Sequence, residues 1–191
     1  MRKASISRKT KETEVKIEID LDGIGQNNIE TPLGFLNHML ELFSFHSRIN
    51  LKVKAEGDIH VDYHHIIEDI GIVLGKAIDD ALGERKGIKR YGFASIPMDE
   101  AIAQVSLDLG GRAYLVYNVP FTGLIRDIDI ALFEEFFRAL VNNAKIILHV
   151  NVAYGKDLHH VVEAIFKAFA IAIKEAVILT GDTLPSTKGL I

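Results

Sequence analysis

Cysteine is absent from this 191-residue sequence, which excludes disulfides, thiolate metal sites and a cysteine nucleophile. Long apolar runs are missing too. Nothing approaches the ~20 residues that cross a bilayer, and Met1-Arg2-Lys3 leads into polar residues rather than a signal segment. There is no surplus of positive charge: the formal net charge is −4, so neither nucleic acid nor a membrane is an expected partner. No stretch is of low complexity. No phosphate loop of the Walker type precedes a helix, and Gly23-Ile24-Gly25 lacks the third glycine of a dinucleotide fingerprint. What is left is a globular chain expected in the cytoplasm. Its hydrophobic content of 48 % is sufficient for a substantial core.

What is present is a histidine motif that occurs twice. His64-His65-Ile66-Ile67-Glu68 is repeated as His159-His160-Val161-Val162-Glu163. A turn-rich segment precedes each copy (Glu56-Gly57-Asp58 and Gly155-Lys156-Asp157), and an apolar-periodic helix follows, Ile70 to Leu82 and Ala164 to Leu179. On a helix the first histidine and the glutamate share a face, while the two histidines diverge by roughly 100°. One copy can therefore serve two neighbouring metal ions. Four of eight histidines in two identical frames is a pattern that helix N-terminal polarity alone does not explain.

Between these motifs the chain alternates strands and helices. Residues 1–11 are basic and polar, and Glu14 to Asp20 alternates with Val15, Ile17 and Ile19 inward. Thr31-Pro32 opens a helix with Phe35, Leu36, Met39, Leu40 and Phe43 on one face and His38 beside them. Ile49 to Ala55 is a second alternating strand, and Ile88 to Gly92 reads as loop. Residues 93–97, 101–109, 114–119 and 145–152 read as strands; residues 127–142 read as a helix with Leu132, Phe136, Phe137 and Leu140 inward and Glu134-Glu135 beside them. Both halves thus run strands, helix, strand, turn, His-His helix. That order predicts an α+β fold in which one domain, residues 1–191, holds two repeats, about 1–90 and 91–191. Each is a sheet covered by helices on one face, and the halves pack as one body.

The candidate ligands are His64, His65, Glu68, His159, His160 and Glu163, with His38 and Glu135 from the preceding helices. Eight nitrogen and oxygen donors divide into two sets of four, leaving octahedral positions open for substrate. A carboxylate in each set and the lack of cysteine argue against a structural zinc staple. A second signal is cationic. Arg90 and Arg112 lie near turn glycines, Lys167 follows Glu163 on one helix face, and Ser186-Thr187-Lys188-Gly189 offers hydroxyls, an ammonium and free amides. Spacing alone supports a metal-dependent enzyme acting on a small phosphorylated substrate. A metal-dependent phosphoesterase and a non-catalytic metal-binding shell fit the same residues.

The residues resemble the imidazoleglycerol-phosphate dehydratase family. The matching stretches are Arg8 to Thr13, Gly34 to Leu40, His64 to Asp69, Gly87 to Gly92, Met98 to Ala101, Gly111 to Leu115, His159 to Ala168 and Leu184 to Gly189. They cover nearly the whole chain in family order. Asn37, Tyr63 and Ile66 depart from the usual residues and remove nothing the chemistry requires. The family occurs alone or fused to a phosphatase, and this length matches the dehydratase alone.

The resemblance implies a hydro-lyase of L-histidine biosynthesis that converts D-erythro-imidazole glycerol phosphate to imidazole acetol phosphate. It implies two Mn2+ per active site and a tandem ribosomal-S5-domain-2-like fold, each unit a four-stranded sheet with helices on one face. It also implies a homo-oligomer in which trimers build a large cubic assembly with inter-subunit sites. By position, one metal set is His64, Glu68, Glu135 and His159, and the other is His38, His65, His160 and Glu163. The phosphate falls to Arg90, Arg112, Lys167, Ser186, Thr187 and Lys188. Glu12 reaches the diol region, with His46 and Asp99 near the substrate, and the base is Glu12 or a water held by the metals.

Overall fold

The computed structural model describes residues 2–191. The first repeat runs β1 (Lys3–Lys9), β2 (Thr13–Asp20), β3 (Asn27–Glu30), α1 (Gly34–Ser47), β4 (Asn50–Gly57) and α2 (His64–Leu82). The second runs β5 (Tyr91–Met98), β6 (Ala101–Asp108), β7 (Tyr114–Asn118), a ribbon of β8 (Leu124–Ile125) and β9 (Ile128–Asp129), then α3 (Ala131–Ala144), β10 (Ile147–Tyr154) and α4 (Leu158–Ala176). The four-stranded sheets have matching orders, β1-β2-β4-β3 and β5-β6-β10-β7. In each the last two strands are parallel and the other neighbours antiparallel. This is the duplicated α+β architecture the sequence predicts.

Period-two patterning sets the registers. Val15, Ile17 and Ile19 lie opposite Ala55, Val53 and Leu51 on the inner face of the first sheet. Ala103, Val105 and Leu107 lie opposite Val152, Val150 and Leu148 in the second. Helices α1 and α2 cover the first sheet, α3 and α4 the second, and the repeats meet through α1 against α4 and α2 against α3. Phe43 stacks on Phe169 at 5.3 Å, and Phe133, Phe136, Phe137 and Phe166 pack edge-to-face or tilted around them. All six rings are fully buried; truncating one to alanine costs about 3–5 kcal/mol. Gly71 sets the approach of α2 to α3, since a Cβ there would stand 2.5 Å from the Phe136 carbonyl oxygen.

The structure departs from the pattern reading at several boundaries. Residues 3–9 are an edge strand, masked in sequence because its half-buried face carries Arg8 beside Ala4 and Ile6. Strand β3 is too short and polar to register as periodic. The third helix starts at Ala131 instead of 127, because the Asp129 side chain accepts the Ala131 N–H at 3.0 Å and residues 128–129 pair with β8; Leu132 is only half-buried. Tyr91 and Gly92 belong to β5, not to a loop. The fourth helix ends at Ala176, and Leu179 instead bridges Ile88. No helix among the described residues is long and apolar enough to cross a membrane.

Candidate metal and substrate site

Each His-His helix is opened by an aspartate two residues before the first histidine. Asp62 Oδ1 accepts the His64 N–H at 2.8 Å, and Asp157 Oδ1 accepts the His159 N–H at 2.8 Å. Both bonds satisfy otherwise orphaned first-turn amides; Asp157 is the N-cap of α4, while Asp62 stands one residue before the cap position of α2, Tyr63. The spelling Asp-x-His-His occurs twice in the sequence.

The packing of α1 on α4 joins the repeats at the second motif. His159 Nε2 lies 3.1 Å from Glu163 Oε2, and His38 Nε2 lies 3.6 Å from the same oxygen. One donor atom from each of the three residues falls within 4.8 Å of the others. Phe35 packs edge-on against the His159 ring at 5.0 Å. Burial pushes the Glu163 carboxyl up, but Lys167, His38 and His159 outweigh it and hold it below the usual carboxylate range.

Within one chain His159 stands with His38 and Glu163, while His64 and Glu68 lie at the other motif. At the first motif His64 Nε2 lies 3.8 Å from Glu68 Oε2. No third donor joins them at comparable spacing among the described residues. Glu135 is engaged by Arg138 on its own helix at 3.5 Å. It is nonetheless the counterpart of His38, since each is the fifth residue of a 14-residue helix occupying the same place in its repeat.

The second histidines take other partners. His65 Nδ1 lies 3.1 Å from Asp58 Oδ2 and 3.9 Å from Glu12 Oε2. His160 Nδ1 lies 2.7 Å from Glu100 Oε2, with Asp99 3.9 Å from its Nε2. Hydrogen bonding to these carboxylates raises both imidazole pKa values. Glu100 also accepts the Asp157 and Lys156 amides at 2.7 and 3.1 Å, and its carboxyl is lowered to about 2 by the Asp157 amide first and His160 next. Asp58 and Glu100 are functional candidates that sequence reasoning missed; both lie beside motifs it had singled out.

The cations fall in two places. Lys167 Nζ stands 2.6 Å from Glu163 Oε1, and nearby His46 has its pKa lowered by burial and by Lys167. At the other end of α4, Arg90 grips Asp108 through two bonds of 2.7 and 3.1 Å and donates to the Pro185 carbonyl at 2.8 Å. That holds the tail, where the Ser186 hydroxyl donates to the Leu190 carbonyl and accepts the Lys188 N–H. Arg112, Thr187 and Lys188 are exposed. The expected phosphate contacts are therefore not one cluster within a single chain: Lys167 is apart from Arg90 and the tail.

Comparison with known proteins points to one family. A family model described as imidazoleglycerol-phosphate dehydratase matches residues 31–173. The imidazoleglycerol-phosphate dehydratase of Thermodesulfovibrio yellowstonii is 67 % identical over 191 residues, all of both chains. That of Clostridium novyi is 52 % identical, over 100 % of this chain and 98 % of its own. The crystal structure of the Staphylococcus aureus enzyme superposes with a TM-score of 0.85 at 41 % identity, covering 93 % of this chain and 99 % of that one. The Pyrococcus furiosus structure, in complex with (S)-C348, gives 0.84 at 33 % identity over 97 % and 100 %. Motifs, fold and full-length similarity converge: the chain belongs to the imidazoleglycerol-phosphate dehydratase family.

Proposed function

We propose that this chain removes water from D-erythro-imidazole glycerol phosphate to give imidazole acetol phosphate, a step of L-histidine biosynthesis, at a site holding two Mn2+ ions. The observation that carries this reading is the His38–His159–Glu163 trio, with donor atoms within 4.8 Å of one another. Two imidazoles and a carboxylate suit a Mn-type ion and leave positions open for substrate. By the equivalence of α1 and α3, His64, Glu68 and Glu135 are the counterpart donors, which a second ion would have to draw together. His65 and His160 join neither, and complete the sets of a neighbouring copy in an assembly of trimers forming a cubic shell. The two repeats thus act as one functional unit, and the lack of cysteine supports work in the cytoplasm.

When bound, the ions supply Lewis-acid stabilisation at the nitrogens of the substrate imidazole. The chain's own residues do the rest. Arg90, Arg112, Ser186, Thr187 and Lys188, with Lys167 from a second surface, hold the phosphate, and this remote binding energy fixes the reacting carbons. Hydroxide leaves the carbon attached to the ring and a proton leaves the adjacent carbinol carbon; the resulting enol ketonises. Glu12, with 55 % of its side chain exposed and 3.9 Å from His65 Nδ1, takes that proton. His46 and Asp99 border the substrate.

The test is a Mn2+-dependent assay for imidazole acetol phosphate with and without chelator. Product should appear only with metal and without inorganic phosphate. Release of inorganic phosphate in its place would establish a phosphoesterase and overturn the reading.

A further inference from the structure

The two histidines outside the trio and its counterpart donors are each held at Nδ1 by a carboxylate, yet the two carboxylates come from different places in the repeat. Strands β2 and β6 are equivalent eight-residue strands, and the residues immediately before them are Glu12 and Glu100. Strands β4 and β10 are likewise equivalent, and the residues immediately after them are Asp58 and Gly155. In the second repeat the glutamate before the strand does the holding, at 2.7 Å. In the first, the aspartate after the strand does it, at 3.1 Å, and Glu12 stands back at 3.9 Å.

The second repeat leaves little room for the first repeat's arrangement. A Cβ on Gly155 would lie 2.5 Å from Val161 Cγ2 and 3.1 Å from Ala101 Cβ, so an acid at that position would have to displace the Val161 side chain. Glu100 is instead immobilised: Oε1 accepts both the Lys156 and Asp157 amides, which aims Oε2 at His160. Asp58 is tied to the Glu12 loop through its own N–H, which donates to the Glu12 carbonyl at 3.1 Å. The loop is thereby fixed while the Glu12 carboxylate stays uncommitted.

We infer that Glu100 and Asp58 are positioning residues that hold His160 and His65 with the proton on Nδ1 and Nε2 free to ligate, and that Asp58 thereby releases Glu12, the repeat counterpart of Glu100, for the reaction. This rests on the metal reading of the His-His motifs given above. Carboxylates that fix a ligating histidine in this way typically matter 10- to 100-fold in metal affinity.

The experiment titrates the metal-free full-length chain with Mn2+, following free ion by electron paramagnetic resonance. Glu100→Gln keeps an oxygen for the two amides and so turns its NH2 toward His160 Nδ1, which forces the proton onto Nε2. Its Mn2+ affinity should fall 10- to 100-fold. Asp58→Ala, in the other repeat, should weaken binding similarly, so that misfolding of one variant leaves the other to decide. Glu12→Gln should bind Mn2+ like the parent while losing turnover. Parental affinity in both Glu100→Gln and Asp58→Ala would overturn the inference alone. Weakened Mn2+ binding in Glu12→Gln would overturn the division of labour. A parent chain that binds no Mn2+ would overturn the metal reading beneath it.

Discussion

Lys167 Nζ stands 2.6 Å from Glu163 Oε1, while Oε2 of the same carboxylate faces His159 at 3.1 Å and His38 at 3.6 Å. Glu163 is therefore neutralised by a lysine on one oxygen and presented to two imidazoles with the other. Only 8 % of its side chain is exposed, so the charge depends on its partners. Lys167→Met should destabilise the metal-free chain by about 1–3 kcal/mol. Mn2+ should then raise its melting temperature more than it raises the parent's, because the ion takes over the counter-charge. Thermal melts with and without Mn2+ decide this, and equal increments would count against it.

The trio and its repeat counterpart make a stoichiometric prediction. Removing one donor from either set should cost one ion and spare the other. His38→Ala and Glu135→Ala should each reduce bound Mn2+ from about two ions per chain to about one. Metal analysis after gel filtration measures it. Full occupancy in Glu135→Ala would remove that residue from the ligand set.

The hairpin that bears Glu12 is anchored from below. Asp69, buried on α2, accepts the Thr13 hydroxyl on one oxygen and the Arg8 guanidinium at 2.8 Å on the other. Thr10 Oγ1 in turn accepts the Glu12 and Thr13 amides. Thr13→Val keeps the shape and leaves Asp69 short of a donor, which should cost about 1–3 kcal/mol; Thr13→Ser should restore most of it. Urea denaturation of the pair measures the difference, and equal stabilities would show that the hydroxyl contributes nothing.

Glu175, outside the His-His motifs, gives a further pH dependence. Its carboxyl is held below the usual range first by the Lys89 ammonium and next by the Phe93 amide, which donates to it at 2.9 Å. A carboxylate lowered on folding stabilises above its unfolded pKa, and that stability is lost as pH falls through the lowered value. The metal-free chain should therefore lose melting temperature as pH falls from 7 into the acid range, and Glu175→Gln should lose less. Superimposable melting profiles would exclude the contribution.

Much of the fold was legible because hydrophobic period is a local property. Val15-x-Ile17-x-Ile19 could only be a half-buried strand, and Phe136, Phe137 and Leu140 only the inner face of a helix. Strand β1 was not legible. Its inward position 8 carries an arginine, and the partner that makes this tolerable, Asp69, lies sixty-one residues away. The start of α3 was not legible because Asp129 accepts its first amide from within a two-residue ribbon that carries no periodic signal.

The sequence by itself determined the donor chemistry and its duplication: imidazoles and carboxylates in two identical frames, no thiolate, and a family spelling spread along the chain. Side-chain type and helical spacing are written residue by residue. Tertiary structure alone decided the company each donor keeps. It put His38 with His159 because α1 packs on α4, and it gave His65 to Asp58 but His160 to Glu100 because Val161 and Ala101 fill the space beside Gly155. The His38–His159 and His160–Glu100 contacts join residues far apart in the chain, fixed by how the two sheets and four helices fill the volume between them.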